Sequence, residues 1–223
     1  MPLHTTDALI LRTYKLGESD RIVVFLTRDR GKKRGVAKNA RQSRRRFGGA
    51  LEPLTYGRVG YMEHERRELV SLNYVEALCS PLSAVDGEAL GYVSYFAELI
   101  DEWAPDADPN ETLFRLGVSM VEAIAAGVPI EPLARYFEYW VLRLQGVYEP
   151  DPQVSAAGQA FLARARTCSP FTLAEVKVSS RVLRELEDSH RTLIRMHLEK
   201  DLKSVRVLRE MTLGGHRGTE RVP

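Results

Sequence analysis

The chain has few of the features that tie a protein to a membrane, a metal or an oxidising compartment. It has two cysteines among 223 residues, Cys79 and Cys168, and neither lies in a CxxC or His-rich pattern. Two isolated thiols make neither a disulfide framework nor a recognisable zinc site, and they suit a reducing compartment. No apolar run approaches the length of about 20 residues that crosses a bilayer, and no secretory leader is recognisable. We therefore expect a cytoplasmic protein.

The common catalytic motifs are also missing. The sequence contains no GxxxxGK(S/T), no GxSxG and no HExxH, and Gly31-Lys32-Lys33 lacks the upstream glycine and the hydroxyl residue of a phosphate-binding loop. His190 and His197 can share a helix face, but no third metal ligand accompanies them. We therefore expect no enzymatic activity, no metal and no cofactor.

One stretch, from Arg28 to Arg46, is almost free of acids. It carries ten Lys or Arg against the single acid Asp29, about +9, whereas the whole chain is only +2. Such a positive pole is typical of a surface that binds the phosphates of nucleic acid. The candidate DNA contacts are Arg28, Arg30, Lys32, Lys33, Arg34, Lys38, Arg41, Arg44, Arg45 and Arg46.

Periodicity divides the chain into a strand-rich and a helix-rich part. Short alternating segments predict five strands, at 8–13, 21–27, 32–39, 51–62 and 67–77, which suit a small closed or partly open barrel of the OB type. From residue 80 onwards the apolar spacing is helical. We expect an α+β protein with an OB-fold domain at 1–79, a helical domain at 80–213 and a flexible tail at 214–223.

Five or six helices are legible in the second part. The first three run at about 83–103, 110–127 and 132–146. The segment at about 147–170 is irregular, and helices at 173–186 and 192–202 precede a short last helix that Ser204 can cap.

Four aromatic residues of the first part are candidates for stacking on unpaired bases: Tyr14, Phe47, Tyr56 and Tyr61. Aromatic residues in strands more often belong to the core. Two other functions fit the same charge. The basic stretch can serve a scaffold that binds an acidic protein, or an RNA-binding OB protein.

The N-terminal part resembles the bacterial RecO family of recombination mediators. The resemblance lies in three segments, Gly-Glu-Ser-Asp-Arg at 17–21, Leu-Thr-Arg-Asp-Arg-Gly-Lys at 26–32 and Gly-Val-Ala-Lys-Asn-Ala-Arg at 35–41. Leu-Lys-Ser at 202–204 is similar to the family's C-terminal segment. The resemblance implies an OB fold followed by a helical domain, and binding and annealing of single- and double-stranded DNA without ATP. It also implies two partners, the C-terminal tail of single-strand binding protein, and RecR, with which the family loads RecA.

The resemblance carries three basic positions over as DNA contacts, Lys32, Lys38 and Arg41. Arg44 to Arg46 are candidates on charge alone. An acidic, apolar tail needs an apolar groove rimmed by arginine, for which Arg115, Arg135 and Arg143 are candidates. Many family members also carry a four-cysteine zinc module, but the corresponding segment here has only Cys168, so we expect no zinc.

Overall fold

The computed structural model describes residues 3–64, 68–83 and 87–208. Within these ranges five strands precede the helices, which confirms the predicted α+β class. The strands are β1 (Leu3–Leu16), β2 (Asp20–Thr27), β3 (Gly31–Ala37), β4 (Tyr56–Met62) and β5 (Val70–Cys79). The α-helices are α1 (Gly87–Trp103), α2 (Glu111–Ala125), α3 (Ile130–Leu144), α4 (Ala156–Ala165) and α5 (Ser180–Leu198), with short 3₁₀ helices at Pro81–Ser83 and Pro170–Glu175.

The strands close into a barrel in the order β1-β2-β3-β5-β4. The ring closes because β1 is 14 residues long and pairs with two strands, through Ala8 to Leu16 with β2 and through Leu3 to Leu9 with β4. β3 and β5 run parallel, whereas the other pairs are antiparallel. This small five-stranded barrel is the OB type that the sequence predicts.

The barrel interior is apolar, and the connection between β3 and β4 closes one end of it. Alternate residues of the strands point inward, and the most buried of them are at most 1% exposed: Ile10, Val23, Phe25, Val59 and Tyr61. Phe47, Ala50 and Leu51 of the connection pack into the same cluster. The connection that carries the arginine run is therefore anchored in the barrel core.

The outer face of β1 and β2 forms part of a second core, shared with the helices. Leu9, Val24 and Leu26 are at most 2% exposed and pack with residues of α1, α2 and α3. Gly117 on α2 permits the close approach, since a Cβ there would lie 2.6 Å from Cδ1 of Leu9. The helices cover this side of the barrel, so a nucleic acid has access only to other sides.

The helices differ from the predicted ones in two places. The segment at 147–170, expected to be irregular, contains α4. The two helices expected at 173–186 and 192–202 are largely one, α5, because Leu186, His190 and Ile194 continue the buried face at helical spacing without a break.

The last helical turns, at 203–208, begin with a cap from another helix. Oε1 of Glu98 on α1 accepts a hydrogen bond from the Lys203 amide at 3.1 Å, and Oε2 accepts one from the Ser204 amide at 2.8 Å. The expectation that Ser204 is itself the cap is wrong, since its hydroxyl donates to the same carboxylate. The expected tail at 214–223 lies outside the described residues. In the part of the chain that the structure describes, no helix is long and apolar enough to cross a membrane.

Candidate nucleic-acid interface

The structure divides the basic stretch into two segments with different surroundings. Residues 28–33, here the paired segment, cover the turn between β2 and β3 and the start of β3, and each of their cations has an acidic partner within 4.0 Å. Residues 34–46, here the open segment, cover the rest of β3 and the loop after it. Among the described residues, no cation of the open segment has an acidic partner within that distance. The two segments therefore present different electrostatics to a ligand.

Lys32 is the most deeply placed cation of the paired segment. Its side chain is 10% exposed, and its ammonium donates to the Asp101 carbonyl at 2.6 Å and lies 3.4 Å from the Asp101 carboxylate and 3.5 Å from that of Asp106. The Lys32 backbone also bonds to the chain just after α1, through Pro105 O and the Ala107 amide. Lys32 therefore joins β3 to the helices and is not presented to phosphate, contrary to the sequence prediction.

The other three cations of the paired segment are also matched with acids. Lys33, 17% exposed, donates to Glu63 at 2.9 Å. This hydrogen bond, against the opposing effect of partial burial, lowers the pKa of Glu63 below its ordinary value. The exposed Arg28 lies 3.1 Å from Glu111 of α2, and Arg30 lies 3.8 Å from its neighbour Asp29.

The open segment presents its cations to solvent. Arg34 lies on the outer face of β3, and Lys38, Arg41, Arg44 and Arg45 follow on the loop, all of them exposed. Arg46 is different, because it is half-buried and donates to Ser43 Oγ at 2.9 Å and to the Lys38 carbonyl at 2.7 Å. Its guanidinium also lies 5.1 Å from the centre of the Phe47 ring. Five exposed cations thus remain for a ligand, and Arg46 shapes the loop that carries four of them.

Hydrogen bonds hold the basic loop at both of its ends. The Val75 amide of β5 donates to the Arg46 carbonyl at 2.9 Å. At the other end the Asn39 amide donates to Asp20 at 2.8 Å, and the Arg41 guanidinium donates to the Glu18 carbonyl at 3.0 Å. The loop therefore has a defined shape before any ligand binds.

The same contacts bring two further cations to this end of the barrel. Lys15 pairs with Arg21 across the β1–β2 hairpin, and Arg21 pairs with Ala37, the residue before Lys38. Neither Lys15 nor Arg21 has an acidic partner within 4.0 Å among the residues described. Sequence reasoning missed both, although the hairpin register around the Leu-Gly-Glu-Ser-Asp turn was a usable signal.

Of the four aromatic candidates, Tyr14 alone is well exposed, at 45%. Phe47 and Tyr61 are at most 1% exposed, so the expectation that they stack on bases is wrong. Both fill the barrel core, and burial raises the pKa of Tyr61 to about 12. Tyr56 is half-buried and meets Phe114 of α2 edge-on at 6.3 Å between ring centres.

Tyr74 is an aromatic residue that sequence reasoning did not select. It pairs with Gly60 across β4 and β5, and a Cβ at Gly60 would lie 2.1 Å from the Tyr74 ring. The glycine thus makes room for the ring, which is half-buried. A glycine inside a strand pattern is the signal that could have pointed to it.

The three arginines expected to rim a tail-binding groove do not share one environment. Arg135 is 3% exposed and paired with Glu138 at 3.0 Å and Glu187 at 3.2 Å, so the expectation that it meets a partner's tail is wrong. Glu138 also accepts hydrogen bonds from Tyr95 and His190. Burial opposes its ionisation, but these three partners together lower its pKa. Arg115 is exposed, and the Arg143 guanidinium donates to the Tyr139 hydroxyl at 3.2 Å.

A cavity of about 510 Å³ lies instead between α5 and the turns at 203–208. Its apolar lining comes from Tyr95, Ile194, Leu202 and Val205. Five cations and one acid complete the lining: Arg191, Arg195, Lys200, Lys203, Arg206 and Asp201. An apolar floor under a mainly basic rim is what an acidic, apolar peptide needs.

Cys168 lies just after α4, half-buried, and its carbonyl accepts a hydrogen bond from the Tyr136 hydroxyl. The described residues hold no group of three or more His, Cys, Asp or Glu side chains able to bind a metal. The residues at 147–170 do not fit a four-thiolate zinc module, because this segment offers one thiol, Cys168, and the module needs four.

Comparisons with known proteins agree with this architecture. The family model described as Recombination protein O N terminal matches residues 1–81, and the one described as Recombination protein O C terminal matches residues 84–151. A DNA repair protein RecO of Pelotomaculum thermopropionicum is 30% identical over an alignment of 241 positions, gaps included. The alignment covers 92% of this chain and 93% of that protein. The chain belongs to the RecO family.

Other RecO proteins are more similar over shorter spans. The DNA repair protein RecO of Koribacter versatilis is 45% identical over 150 residues, 67% of this chain and 61% of that protein. That of Geobacter metallireducens is 40% identical over 142 residues, 63% of this chain and 57% of that protein. These two matches span less than two thirds of each relative's length. The RecO family models cover the barrel and α1 to α3. α4, α5 and the lining of the basic-rimmed cavity, except Tyr95, lie beyond residue 151.

Proposed function

We propose that this protein is a non-catalytic DNA-binding recombination mediator. It binds single-stranded DNA, anneals complementary strands and helps to load recombinase onto strands coated by single-strand binding protein during DNA repair. The observation that supports this most directly is the open segment. Five exposed cations stand there on β3 and on an anchored loop, and none has an acidic partner within 4.0 Å among the residues that the structure describes. As a DNA repair protein it would work at the chromosome, in the cytoplasm.

Phosphate is the ligand that such a surface favours. Each phosphate that a lysine or arginine neutralises releases condensed counterions, and this makes binding dependent on salt. For single strands the slope of log K against log salt is about −0.7 per contact, so the five cations predict a slope of about −3.5. Neutralising the phosphates of two strands also lowers their mutual repulsion, which supports annealing.

The test compares two double variants that remove the same charge. Arg44→Ala with Arg45→Ala removes two cations of the open segment, and we expect the slope measured by fluorescence anisotropy to become shallower by about 1.4. The control, Arg28→Ala with Arg30→Ala, removes two cations of the paired segment and should change the slope much less. Equal effects of the two variants, or affinity that does not depend on salt, would rule out this interface.

Anisotropy measurements with other ligands and competitors distinguish the proposed mediator from the two other functions. Structured RNA that binds far better than single-stranded DNA would favour an RNA-binding protein. Displacement of DNA by acidic proteins in general would favour a scaffold. The proposed mediator binds single-stranded DNA in preference to both.

We propose further that the basic-rimmed cavity receives the acidic C-terminal tail of single-strand binding protein. Lys203 and Arg195 are exposed on its rim, and the apolar floor can take the tail's apolar side chains. Arg195 lies 3.0 Å from Asp201, whereas Lys203 has no acidic partner within 4.0 Å among the described residues. Charge reversal by Lys203→Glu and Arg195→Glu should abolish binding of a labelled tail peptide. The matched controls are Arg115→Glu and Arg143→Glu on α2 and α3. If the control variants weaken binding of the peptide instead, the tail binds at the arginines that the sequence suggested.

RecR is proposed as the second partner on the family resemblance alone. Pull-down of RecR by the full chain, with and without DNA, tests this part. Failure to bind RecR would remove the loading step from the proposal and leave DNA binding and annealing.

A further inference from the structure

Tyr14 stands at the end of an apolar row on the outer face of the barrel. Cross-strand pairing places it opposite Ile22, and Ile22 opposite Val36. Paired residues of neighbouring strands point to the same side of a sheet, so these three side chains share one face. Ile22 and Val36 are half-buried, whereas Tyr14 is 45% exposed. The row lies beyond the part of the outer face that the helices cover.

Cations of the open segment flank this row. Arg34 lies two residues before Val36 on β3, on the same face, and Lys38 lies two residues after it. Both are exposed, and neither has an acidic partner within 4.0 Å among the described residues. An exposed aromatic ring thus stands close to side chains suited to phosphate.

Arg12 fixes the position of the Tyr14 side chain. One guanidinium nitrogen of Arg12 donates to the Tyr14 hydroxyl at 3.1 Å. The other lies 3.3 Å from Asp101, 3.8 Å from Glu98 and 4.0 Å from Glu102, all on α1. Three carboxylates hold the guanidinium, and the guanidinium holds the hydroxyl. A ring that is already held in place loses less conformational entropy when a base stacks on it.

We propose that Tyr14 is a base-stacking platform, and that Arg12 is the residue that positions it, so that this contact selects single strands over duplex. The inference rests on the proposed function, because it assumes that the open segment binds the phosphates of the same strand. Unpaired bases can stack on an aromatic side chain, whereas the bases of a duplex are already paired and stacked. Phosphate contacts, by contrast, are available in both forms.

Tyr14→Ala tests the platform. Loss of one base–aromatic stack, about 1–3 kcal/mol, corresponds to about a 5- to 150-fold loss of single-strand affinity, with duplex affinity unchanged. Fluorescence of 2-aminopurine in the oligonucleotide should be quenched by the wild type and not by Tyr14→Ala. The matched control is Phe171→Ala, since Phe171 is 43% exposed on the 3₁₀ helix at Pro170–Glu175, far along the chain from the barrel. It should change neither affinity.

A double-mutant cycle tests the positioning role. Tyr14→Phe keeps the ring and removes the hydroxyl, and Arg12→Met removes the donor. Both variants break the same hydrogen bond, so their effects on single-strand affinity should not add when they are combined. Additive effects would show that Arg12 does not act through Tyr14. Tyr14→Phe leaves the ion pairs with α1 intact, so it keeps the test valid if Arg12→Met unfolds the chain.

Two outcomes separate this inference from the proposed function. If the Arg44 and Arg45 variant loses affinity while Tyr14→Ala binds like wild type, the DNA interface stands and the platform is wrong. If both variants bind like wild type, the assignment of DNA to this surface fails as well.

Discussion

Lys32 and Lys38 lie six positions apart in one basic stretch, yet the fold gives them opposite roles. Lys32 is 10% exposed and is held by two carboxylates beyond the barrel, Asp101 and Asp106. Lys38 is exposed and has no acidic partner within 4.0 Å among the described residues. A count of basic residues therefore locates a positive region but not an interface. What decides is whether the fold places an acid opposite each charge.

Three of the five acids opposite the paired segment come from α1, α2 and the connection between them. Asp101 and Asp106 meet Lys32, and Glu111 meets Arg28. The negative charge that offsets the basic stretch in the total of +2 is therefore not spread evenly. Part of it lies against residues 28–33. The positive charge of the open segment, at the other end of β3, is not offset in this way.

The largest expected effect comes from Phe47→Ala, which would make the open segment lose its fixed shape. Phe47 is 1% exposed in the barrel core, and removing a buried phenyl ring costs about 3–5 kcal/mol of unfolding free energy. Because the ring anchors the loop, single-strand affinity should also fall although no charge is removed. Urea unfolding and anisotropy under folding conditions measure the two effects.

Phe47→Leu is the control for that variant. It keeps an apolar side chain of similar volume and should cost less than about 1.5 kcal/mol, with affinity preserved. If Phe47→Ala lost stability but bound DNA like wild type, a fixed loop would not be needed for binding.

The next largest expected effect is a loss of unfolding free energy in Lys32→Ala. Removing one partner of a buried ion pair typically costs about 3–5 kcal/mol; here about 2–3 kcal/mol is expected, because Arg12 still lies 3.3 Å from Asp101. The salt slope for DNA binding should not change. A slope shallower by about 0.7 would show that Lys32 contacts a phosphate after all. Lys38→Ala should give the reverse result, an altered slope with stability unchanged.

Local patterns predicted much of the fold. Alternation in β1, β2 and β4, helical spacing and the glycines at turns depend on neighbours in sequence, and the sequence predicts an element at each of these places. The bounds differ: β1 runs over Leu3–Leu16 where 8–13 was predicted, and β4 begins at Tyr56 where 51 was predicted. The single helix α5 was missed, because the polar residues between Leu186 and Ile194 resemble a break until His190 is known to be buried.

The candidate site was predicted only in part. The partner of Lys32 is 69 residues away in sequence, and no local pattern shows that the two meet. The same limit applies to Arg135, whose charge suggested a surface and whose burial depends on Glu138 and Glu187. Tyr61 is a different case, because a local pattern was enough to place it. It lies two residues from Val59 on β4, so strand alternation puts both side chains on the same face, and the expectation that Tyr61 stacks on bases was avoidable.

The smallest expected effect is a pH dependence of stability that the Lys33–Glu63 pair of the paired segment causes. Lys33 lowers the pKa of Glu63 below its ordinary value of 4.5, so this pair stabilises the folded state above that value, and its contribution disappears as pH falls through the lowered pKa. The difference in unfolding free energy between wild type and Lys33→Met, about 0.2–1 kcal/mol for a partly exposed pair, should be constant at neutral pH and shrink below about pH 4.5. Lys38→Met is the matched control, because Lys38 has no carboxylate within 4.0 Å in the described part of the chain. Its difference in unfolding free energy from wild type should not depend on pH in that range. If the difference in unfolding free energy for Lys38→Met also shrank as pH falls, Lys38 of the open segment would be paired with a carboxylate in solution. The distinction between the two segments would then be wrong.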